Sequence, residues 1–428
     1  MVETAPYIEA FEGAADGLPG GAELRRAAIA RFAETGFPGR KDEDWRYTKL
    51  GALAAEPFAP AEAETPAAAL PSIAADAEYR LVFVDGRFDA DRSALPDLGE
   101  GSYLLSLAQG LTDYGQFLEG HFAGAETETG LAALNTAMMA DGVIFHLGRA
   151  AGATPVLHIV HLASGAANRA AHTRNLVVLE DGTEATVIEH YVGADGEYWT
   201  NGVTQITLKP GARLTHHILQ DEGPAATHTL RRNVRVEAGA RYAGLALVTG
   251  AATARNEMRL SLAGEGASAR VDTIQLGLTG QSLDSFAVVE HAAPDCTSGQ
   301  NVRNVLAAKA TASFQGRIVV NEGAQRTDAE QSAKSLLLDR SAEANTKPEL
   351  IINADDVKCA HGATVGELDQ AALFYLEARG IPADQARAML AEAFAADTLD
   401  GVTDEKLRAY MARRVAEWMA LAVRGATA

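Results

Sequence analysis

The chain has 428 residues, of which 47% are hydrophobic, so it is long enough for two or three domains or one extended repeat architecture and can fill a core. Its formal net charge of -20 argues against a sequence-independent nucleic-acid binder and against a protein of anionic membrane surfaces, because both need a basic surface. No apolar run approaches the roughly 18 residues of a membrane span, and the N-terminus does not resemble a secretory signal. We therefore expect a cytoplasmic protein.

Residues 1–140 indicate a mixed α/β region. Apolar positions at helical spacing predict a helix over residues 20–36, and a strand, a tight turn and a returning strand are predicted over residues 79–88. Between them, residues 54–78 are rich in Ala, Pro and Glu, a composition that predicts a linker or a loosely packed loop.

Residues 41–48 form a short stretch that is dense in both charge signs and carries two aromatic residues. We interpret it as a solvated turn that packs Trp45 and Tyr47 on the N-terminal region. A ligand site in this stretch is the alternative that the sequence leaves open.

From Asp141 onward the chain changes to short apolar runs separated by turns in which a glycine precedes a small residue. These glycines recur every 27 to 30 residues, and the last interval, 57 residues, is close to two periods; they are Gly152, Gly182, Gly211, Gly239, Gly266 and Gly323. Such a period without helices inside it is typical of a β-solenoid, in which each coil buries its apolar face by stacking on the next. A β-sandwich, whose turns come at roughly 8- to 12-residue spacing, stays open as the alternative.

After Gly366 the pattern is helical. It predicts a helix over 368–379 that ends at Gly380, a second helix that begins near Pro382 and runs to about residue 396, and a last helix over 404–423. A solenoid needs covers for its first and last coils, and we expect the α/β region and these helices to provide them. The broad apolar stripe of the last helix fits equally well a cap on the solenoid and a surface for a partner protein.

Cys359 and His361 are the candidate metal ligands. They lie two residues apart in an extended stretch, so their side chains share one face and could approach the same metal ion. The structural alternative is that Cys359 is a small buried apolar residue, since Val357 shares that face. Two ligands cannot close a metal site, so a second chain, a cofactor or a transient occupant would have to complete it. The other cysteine, Cys296, is far away in sequence and forms no Cys-x-x-Cys motif, so the chain offers no all-thiolate cluster site.

Other motifs are weak or absent from the sequence. There is no phosphate-binding Gly-x-x-x-x-Gly-Lys-Ser/Thr, no Gly-x-Ser-x-Gly and no His-Glu-x-x-His. Eight of the eleven histidines lie between positions 146 and 228, but they do not recur at one position of the repeat, so we interpret them as structural or surface residues. His216 and His217 are adjacent in a strand and must face opposite ways. A solenoid hydrolase of polysaccharides is the alternative function, although the neighbouring Asp355 and Asp356 would also point to opposite faces.

Several groups of residues carry a recognisable signature. The densest are Thr346-Lys347-Pro348-Glu349-Leu350, then Ala354-Asp-Asp-Val-Lys-Cys-Ala-His-Gly-Ala-Thr-Val-Gly366, then Phe374-Tyr375-Leu376 and Arg379-Gly380. Further positions are Phe314-Gln-Gly316, Ala324-Gln325, Thr327-Asp328, Gln331, Leu336-Leu-Leu338 and, near the N-terminus, Lys41-Asp-Glu-Asp-Trp-Arg-Tyr-Thr48. Together they resemble the SufB/SufD family, the scaffold subunits of the SUF iron-sulfur cluster assembly machinery. One branch of the family often carries an N-terminal cysteine motif and usually lacks a cysteine at position 359, so this chain resembles the other branch.

The resemblance implies a fold. It implies a mainly β protein with a right-handed parallel β-helix over 141–365, between the N-terminal region 1–140 and a C-terminal helical domain over 366–428. This agrees with the solenoid predicted from the turn spacing.

The resemblance also implies partners and a site. A non-enzymatic scaffold would pair with SufB and dock the ABC-type ATPase SufC through its C-terminal helices, with a surface made of Leu368, Phe374, Tyr375, Leu376, Arg379 and Gly380. A transient iron-sulfur cluster would form at the SufB interface, with His361 as a ligand facing a SufB cysteine and Cys359 as the lesser candidate. Nucleotide hydrolysis would belong to SufC, which explains the missing nucleotide motif. Flavin binding is associated with such complexes, but no dinucleotide fingerprint is present here; a homodimer is a further possibility.

Overall fold

The computed structural model describes residues 4–39, 41–48, 50, 53, 58–61, 69–119, 122, 128–152 and 154–425. Within these ranges the α-helices, numbered in chain order, are α1 (Ala5–Ala14), α2 (Ala22–Thr35), α3 (Ser72–Ala75), α4 (Leu107–Glu119, kinked at Tyr114), α5 (Gly130–Met138), α6 (Gln370–Ala378), α7 (Ala383–Leu399) and α8 (Glu405–Gly425).

The strands make up most of the middle of the chain. They are β1 (Ala59–Pro60), β2 (Tyr79–Val84), β3 (Arg87–Phe88), β4 (Tyr103–Ser106), β5 (Val143–Leu147), β6 (Val156–Ala163), β7 (Arg169–Leu179), β8 (Glu184–Gly193), β9 (Tyr198–Leu208), β10 (Arg213–Asp221), β11 (Thr227–Val236), β12 (Arg241–Val248), β13 (Thr253–Leu262), β14 (Ser268–Gly277), β15 (Ser282–His291), β16 (Thr297–Leu306), β17 (Thr311–Val320), β18 (Thr327–Leu337), β19 (Glu343–Ile352) and β20 (Val357–Glu367).

From β5 onward the strands alternate between two parallel sheets. The odd sheet has the order β19-β17-β15-β13-β11-β9-β7-β5-β4, with β1 beside β7, and the even sheet has the order β20-β18-β16-β14-β12-β10-β8-β6-β2-β3. Each strand pairs with the strands one coil before and one coil after it; Arg213 of β10, for example, lies opposite both Glu184 and Arg241. The solenoid is therefore confirmed, and the sandwich is excluded because neighbours in each sheet are two strands apart in sequence.

Most of the turn glycines that the repeat predicts adopt the positive φ of a tight turn. Four of them have φ between 63° and 71°, a region that favours glycine: Gly182, Gly211, Gly239 and Gly266. In the next two turns, Asp295 (φ 58°) and Arg326 (φ 59°) take the place of the turn glycine. Their positions are equivalent to that of Gly266, since the N–H groups of all three residues donate to a backbone carbonyl of the following coil. The assignment of the last turn to Gly323 was therefore wrong by three residues.

The space between the sheets holds apolar residues and a buried polar network. Alternate residues of each strand point inward, and Val187, Leu214 and Ile206 belong to the main apolar cluster. Among them, the fully buried carboxylate of Glu189 accepts hydrogen bonds from Tyr191 Oη (2.6 Å), His216 Nε2 (2.9 Å) and Thr204 Oγ1 (3.0 Å). Glu189 therefore has the partners that a buried charge requires.

The two ends of the solenoid differ. At the first coil, β4 pairs antiparallel with β5, and β2 carries the antiparallel strand β3. At the last coil, the outer edges of β19 and β20 have no paired strand within the described part of the chain, and most of their side chains are exposed or half-exposed. The expectation that helices cover the last coil was wrong.

The C-terminal helices lie on a face of the solenoid instead of its end. α7 packs on β14 and β16. The apolar stripe of α8, which includes Leu407, Met411 and Trp418, belongs to one buried cluster with Leu219 and Leu245 of the even sheet. The stripe therefore covers a sheet face, because outward apolar side chains of the even sheet need a partner there.

Residues 42–48, which we call the strap, cross the outer face of the odd sheet. The ring of Trp45 lies 3.8 Å from the guanidinium carbon of Arg255 on β13, and Asp44 pairs with Arg317 on β17 at 3.3 Å. The Glu43 carboxylate pairs with Lys347 on β19. Trp45 packs against the N-terminal apolar cluster, as predicted, and also over β13 of the solenoid. The acidic residues that the sequence assigned to solvent are ion-paired with the sheet.

The predicted linker over 54–78 lies partly outside the described residues. In its described parts, β1 pairs with β7, Phe58 and Ala74 are buried, and α3 forms a single turn. The boundaries at 140 and 366 stay predictions as domain limits.

Candidate functional site

Strand β20 places Cys359 and His361 on the inner side of the last coil. In the pairing with β18, Cys359 lies opposite Ala329 and His361 lies opposite Gln331. Ala329 and Gln331 are 2% and 1% exposed and point into the space between the sheets. Because residues in register on parallel strands face the same side, both candidate ligands point inward.

Cys359 is half-buried in a small apolar cluster. Its neighbours in that cluster include Ile318, Val320 and Ala329. Burial raises the pKa of the Cys359 thiol, and the nearby Asp328 carboxylate raises it further. Since the thiolate is the form that binds metals, this environment disfavours the metal-binding form of Cys359.

His361 is exposed, although it points the same way as the buried Gln331. The difference arises because β20 is the edge of its sheet, and no further coil covers its inner face within the described residues. Val365 shares this face and is 50% exposed. The end of the solenoid that β19 and β20 form, which we call the open end, therefore presents the His361 imidazole on a partly apolar surface.

A complete metal centre is not formed by this chain alone in the ranges that the structure describes. There, no group of three or more His, Cys, Asp or Glu side chains is placed so that it could hold a metal ion. Cys296 lies in the interior two coils before Cys359, where its Sγ donates to the carbonyl oxygen of Gly264 at 3.3 Å.

The predicted docking residues lie on and around α6. The helix begins where the Asp369 carboxylate accepts the N–H groups of Ala371 (2.8 Å) and Ala372 (3.4 Å), and Gly380 follows its end with φ 84°.

Of the six predicted docking residues, four are exposed. Phe374 and Tyr375 are 71% and 57% exposed, and Arg379, next to the exposed Gly380, donates to Tyr375 Oη at 2.8 Å. Leu376 is half-buried. Leu368 is 7% exposed and belongs to the cluster under the C-terminal helices, so its side chain anchors the start of α6.

The histidines between positions 146 and 228 do not share one register position, but two of them are in contact: Nδ1 of His158 lies 3.1 Å from Nε2 of His190, and the two rings stack. His190 lies opposite Val160 and Leu219, so adjacent coils do not present histidine at one position there. His216 points inward to Glu189, while the next residue, His217, lies on the outer side. Their opposite orientation is as predicted.

A groove of about 520 Å³ lies between the strap and the odd sheet. Two of the carboxylates that line it are ion-paired: Glu257 accepts from Arg259 Nε at 2.7 Å, and Asp44 lies 3.6 Å from Arg259. A hydrolase would instead need a pair of carboxyl groups placed for acid-base work on a substrate.

Sequence reasoning missed the neighbour of His361. Gln331 is thirty positions earlier, and only the repeat spacing could have aligned the two residues. Gln331 belongs to the family signature, but that signature does not show that it lies beside His361.

Across the described stretches, no helix combines the length and the apolar character that crossing a membrane would require.

The fold and the site define a β-solenoid whose terminal coil is unpaired at its edge and carries an imidazole and a thiol on its inner face. Two family models match this chain: the SUF system FeS cluster assembly SufBD core domain over residues 161–394, and the SufBD protein N-terminal region over residues 19–154. The chain therefore belongs to the SufB/SufD family of the SUF iron-sulfur cluster assembly system, as its signature residues indicated.

Relatives match nearly the whole chain. The iron-sulfur cluster assembly protein SufD of Escherichia coli is 33% identical over 91% of this chain and 91% of its own length. The chloroplastic protein ABCI7 of Arabidopsis thaliana is 27% identical over 90% of this chain and 83% of its own. An iron-sulfur cluster assembly SufBD family protein of Synechocystis is 27% identical over 88% of this chain and 86% of its own. The similarity to SufD agrees with the family branch that the cysteine positions favoured.

Proposed function

We propose that this chain is a non-enzymatic scaffold subunit that pairs with SufB through the open end of its solenoid and holds a transient iron-sulfur cluster there. One observation carries the proposal: among the described residues no strand pairs with the outer edges of β19 and β20, and this same end displays His361. Within the family, the cluster is cargo to be passed on and is not a resident cofactor.

Free sheet edges favour pairing with another chain. An edge strand presents N–H and C=O groups that a further strand can bond, and natural proteins usually cover or blunt such edges. Here the edge is flanked by exposed apolar side chains, since Ile351, Ile352 and Val365 are 45%, 40% and 50% exposed. A second solenoid that stacks on this end would pair both edges and bury these side chains together.

His361 is the principal ligand in this proposal. The His361 ring is accessible at the edge of the even sheet. Cys359 instead packs in an apolar cluster, and burial there raises the pKa of its thiol. Because iron in such clusters is held by several protein ligands, SufB would supply the others.

The helix α6 is the proposed docking surface for the SufC ATPase. It exposes Phe374 and Tyr375, and a groove of about 300 Å³ lies between the end of β20, the start of α6 and α7. β20 ends at Glu367 and α6 begins at Gln370, so only two residues separate the strand of His361 from the docking helix. A movement of docked ATPases would therefore act directly on the terminal coil, and ATP hydrolysis would belong to SufC.

The ligand assignment is tested in the complex with SufB and SufC. His361→Ala is expected to leave complex formation intact and to abolish cluster maturation, measured by iron and sulfide content and by the visible absorption spectrum. Lys358→Ala, on the same strand with an exposed side chain, is the matched control and should behave as wild type. Cluster maturation at the wild-type level in His361→Ala would refute the assignment.

The docking surface is tested with point variants, because deleting α8 would uncover the apolar face of the even sheet. The double variant Phe374→Ser and Tyr375→Ser is expected to abolish co-purification of SufC while SufB is retained. Leu421→Ser, at a 56% exposed position on α8, is the control. Undiminished co-purification of SufC with the double variant would contradict the docking proposal.

A further inference from the structure

Gln331 is the buried residue that lies beside His361 in the register of the even sheet. Its side chain is 1% exposed, and its Nε2 donates to Oε1 of Gln300, one coil earlier, at 3.2 Å. The other end of the amide, Oε1, is buried and has no hydrogen-bond partner among the residues that the structure describes. A buried acceptor without a partner therefore lies on the inner side of β18, the strand next to the last strand of the even sheet.

The opposite sheet leaves space for this amide. A Cβ atom built on Gly316 of β17 would collide with Nε2 of Gln331 and with the ring of Phe314. Gly316 thus lets the Gln331 side chain extend across the interior, and Gln300 holds its nitrogen. The amide nitrogen is thus held by Gln300, while the oxygen has no partner among the described residues.

We propose that Gln331 is a positioning residue for His361: its Oε1 accepts the N–H of one ring nitrogen, so that the other nitrogen is presented to the cluster. The inference rests on the proposed function, in which a partner coil covers the open end. Adjacent parallel strands are about 4.8 Å apart, a distance that a glutamine side chain spans.

The physical reason is the cost of an unpaired buried acceptor. A buried carbonyl oxygen without a partner has lost its hydrogen bonds to water, and a hydrogen bond from His361 removes that cost. Histidines that bind metals usually donate their second ring N–H to a carboxylate or carbonyl oxygen, which fixes both the tautomer and the ring orientation.

The first test measures cluster retention in the complex with SufB and SufC. After reconstitution with ferrous iron and sulfide, Gln331→Met is expected to lose the cluster to an iron chelator about 10- to 100-fold more readily than wild type. Gln331→Glu keeps an acceptor at this position and should restore retention. Gln275→Met is the matched control, since Gln275 is also a fully buried interior glutamine of the even sheet but lies two coils earlier.

The second test reads the His361 tautomer directly. In the cluster-free complex at a pH where the ring is neutral, ¹⁵N-histidine NMR should show one tautomer for wild type and a mixture for Gln331→Met. If Gln331→Met does not pair with SufB, the wild-type spectrum alone decides, because a tautomer mixture there overturns the inference.

The outcomes separate the two proposals. If His361→Ala matures clusters normally, the proposed function fails. If His361→Ala loses the cluster while Gln331→Met retains it as Gln275→Met does, with an unchanged His361 tautomer, only the role of Gln331 is overturned.

Discussion

His161 is a buried histidine whose replacement by phenylalanine is expected to stabilise the protein. Its ring is stacked between Phe83 (centroids 5.3 Å apart) and Tyr191 (4.6 Å), and both ring nitrogens lack hydrogen-bond partners within the described ranges. Burial lowers the pKa of His161 to about 4, against the opposing effect of the Glu189 carboxylate. His161→Phe keeps an aromatic ring in the stack and removes two unpaired polar atoms.

The effect depends on pH in a definite direction. Above the unfolded-state pKa of about 6.5, His161 is neutral in both states; below it, the unfolded chain takes up a proton that the folded chain does not. The wild-type protein therefore loses stability as the pH falls from 6.5 towards 4. At pH 5.5 this loss is about 1.4 kcal/mol, and His161→Phe removes it.

The assay is urea unfolding of wild type and His161→Phe at pH 7.5 and 5.5, followed by circular dichroism. The advantage of the variant should be larger at pH 5.5 than at pH 7.5 by about 1.4 kcal/mol. His291→Phe is the control, because His291 has partners at Ser298 (2.8 Å) and Thr327 (3.4 Å) and its replacement should destabilise the protein at pH 7.5. Burial lowers the pKa of His291 to about 4 as well, so this destabilisation should be smaller at pH 5.5. Equal effects of His161→Phe at both pH values would refute the reasoning.

Two further predictions concern the packing inside the solenoid and the packing of the strap on it. Gly316→Ala should lower the free energy of unfolding by about 1–3 kcal/mol, because the added methyl group displaces Gln331. Gly299→Ala should be tolerated, because the nearest atom to its added methyl group would lie 3.4 Å away. Equal losses of stability in the two variants would contradict the prediction. Trp45→Leu should cost about 2 kcal/mol by removing the ring over the buried guanidinium of Arg255, and should speed amide hydrogen exchange in β13 and β15 but not in β5. Unchanged exchange in β13 would show that the strap does not stabilise the sheet.

Much of the fold could be predicted because the repeat is local. Each coil has nearly the same length, and a turn with positive φ selects glycine, so Gly182 to Gly266 mark successive coils. The prediction failed where Asp295 and Arg326 adopt the same conformation, since a stacked turn held by backbone hydrogen bonds can impose it on other residues.

The placement of the C-terminal helices could not be predicted. Their apolar stripes show that they pack on something, but a stripe does not say on what. The outward apolar residues of the even sheet, such as Leu219 and Leu245, come from strands more than 150 residues before α8. Only the stacked coils assemble these residues into one surface.

The sequence by itself determined the period of the solenoid, the helical end of the chain and the pairing of Cys359 with His361 on one strand face, because each follows from spacing along a single segment. The tertiary structure decided what depends on register. It showed that this face is the inner one, that the last coil has free edges within the described residues, and that Gln331 lies beside His361. Pairing between strands thirty residues apart is set by the packing of whole coils, and no short stretch of sequence encodes it.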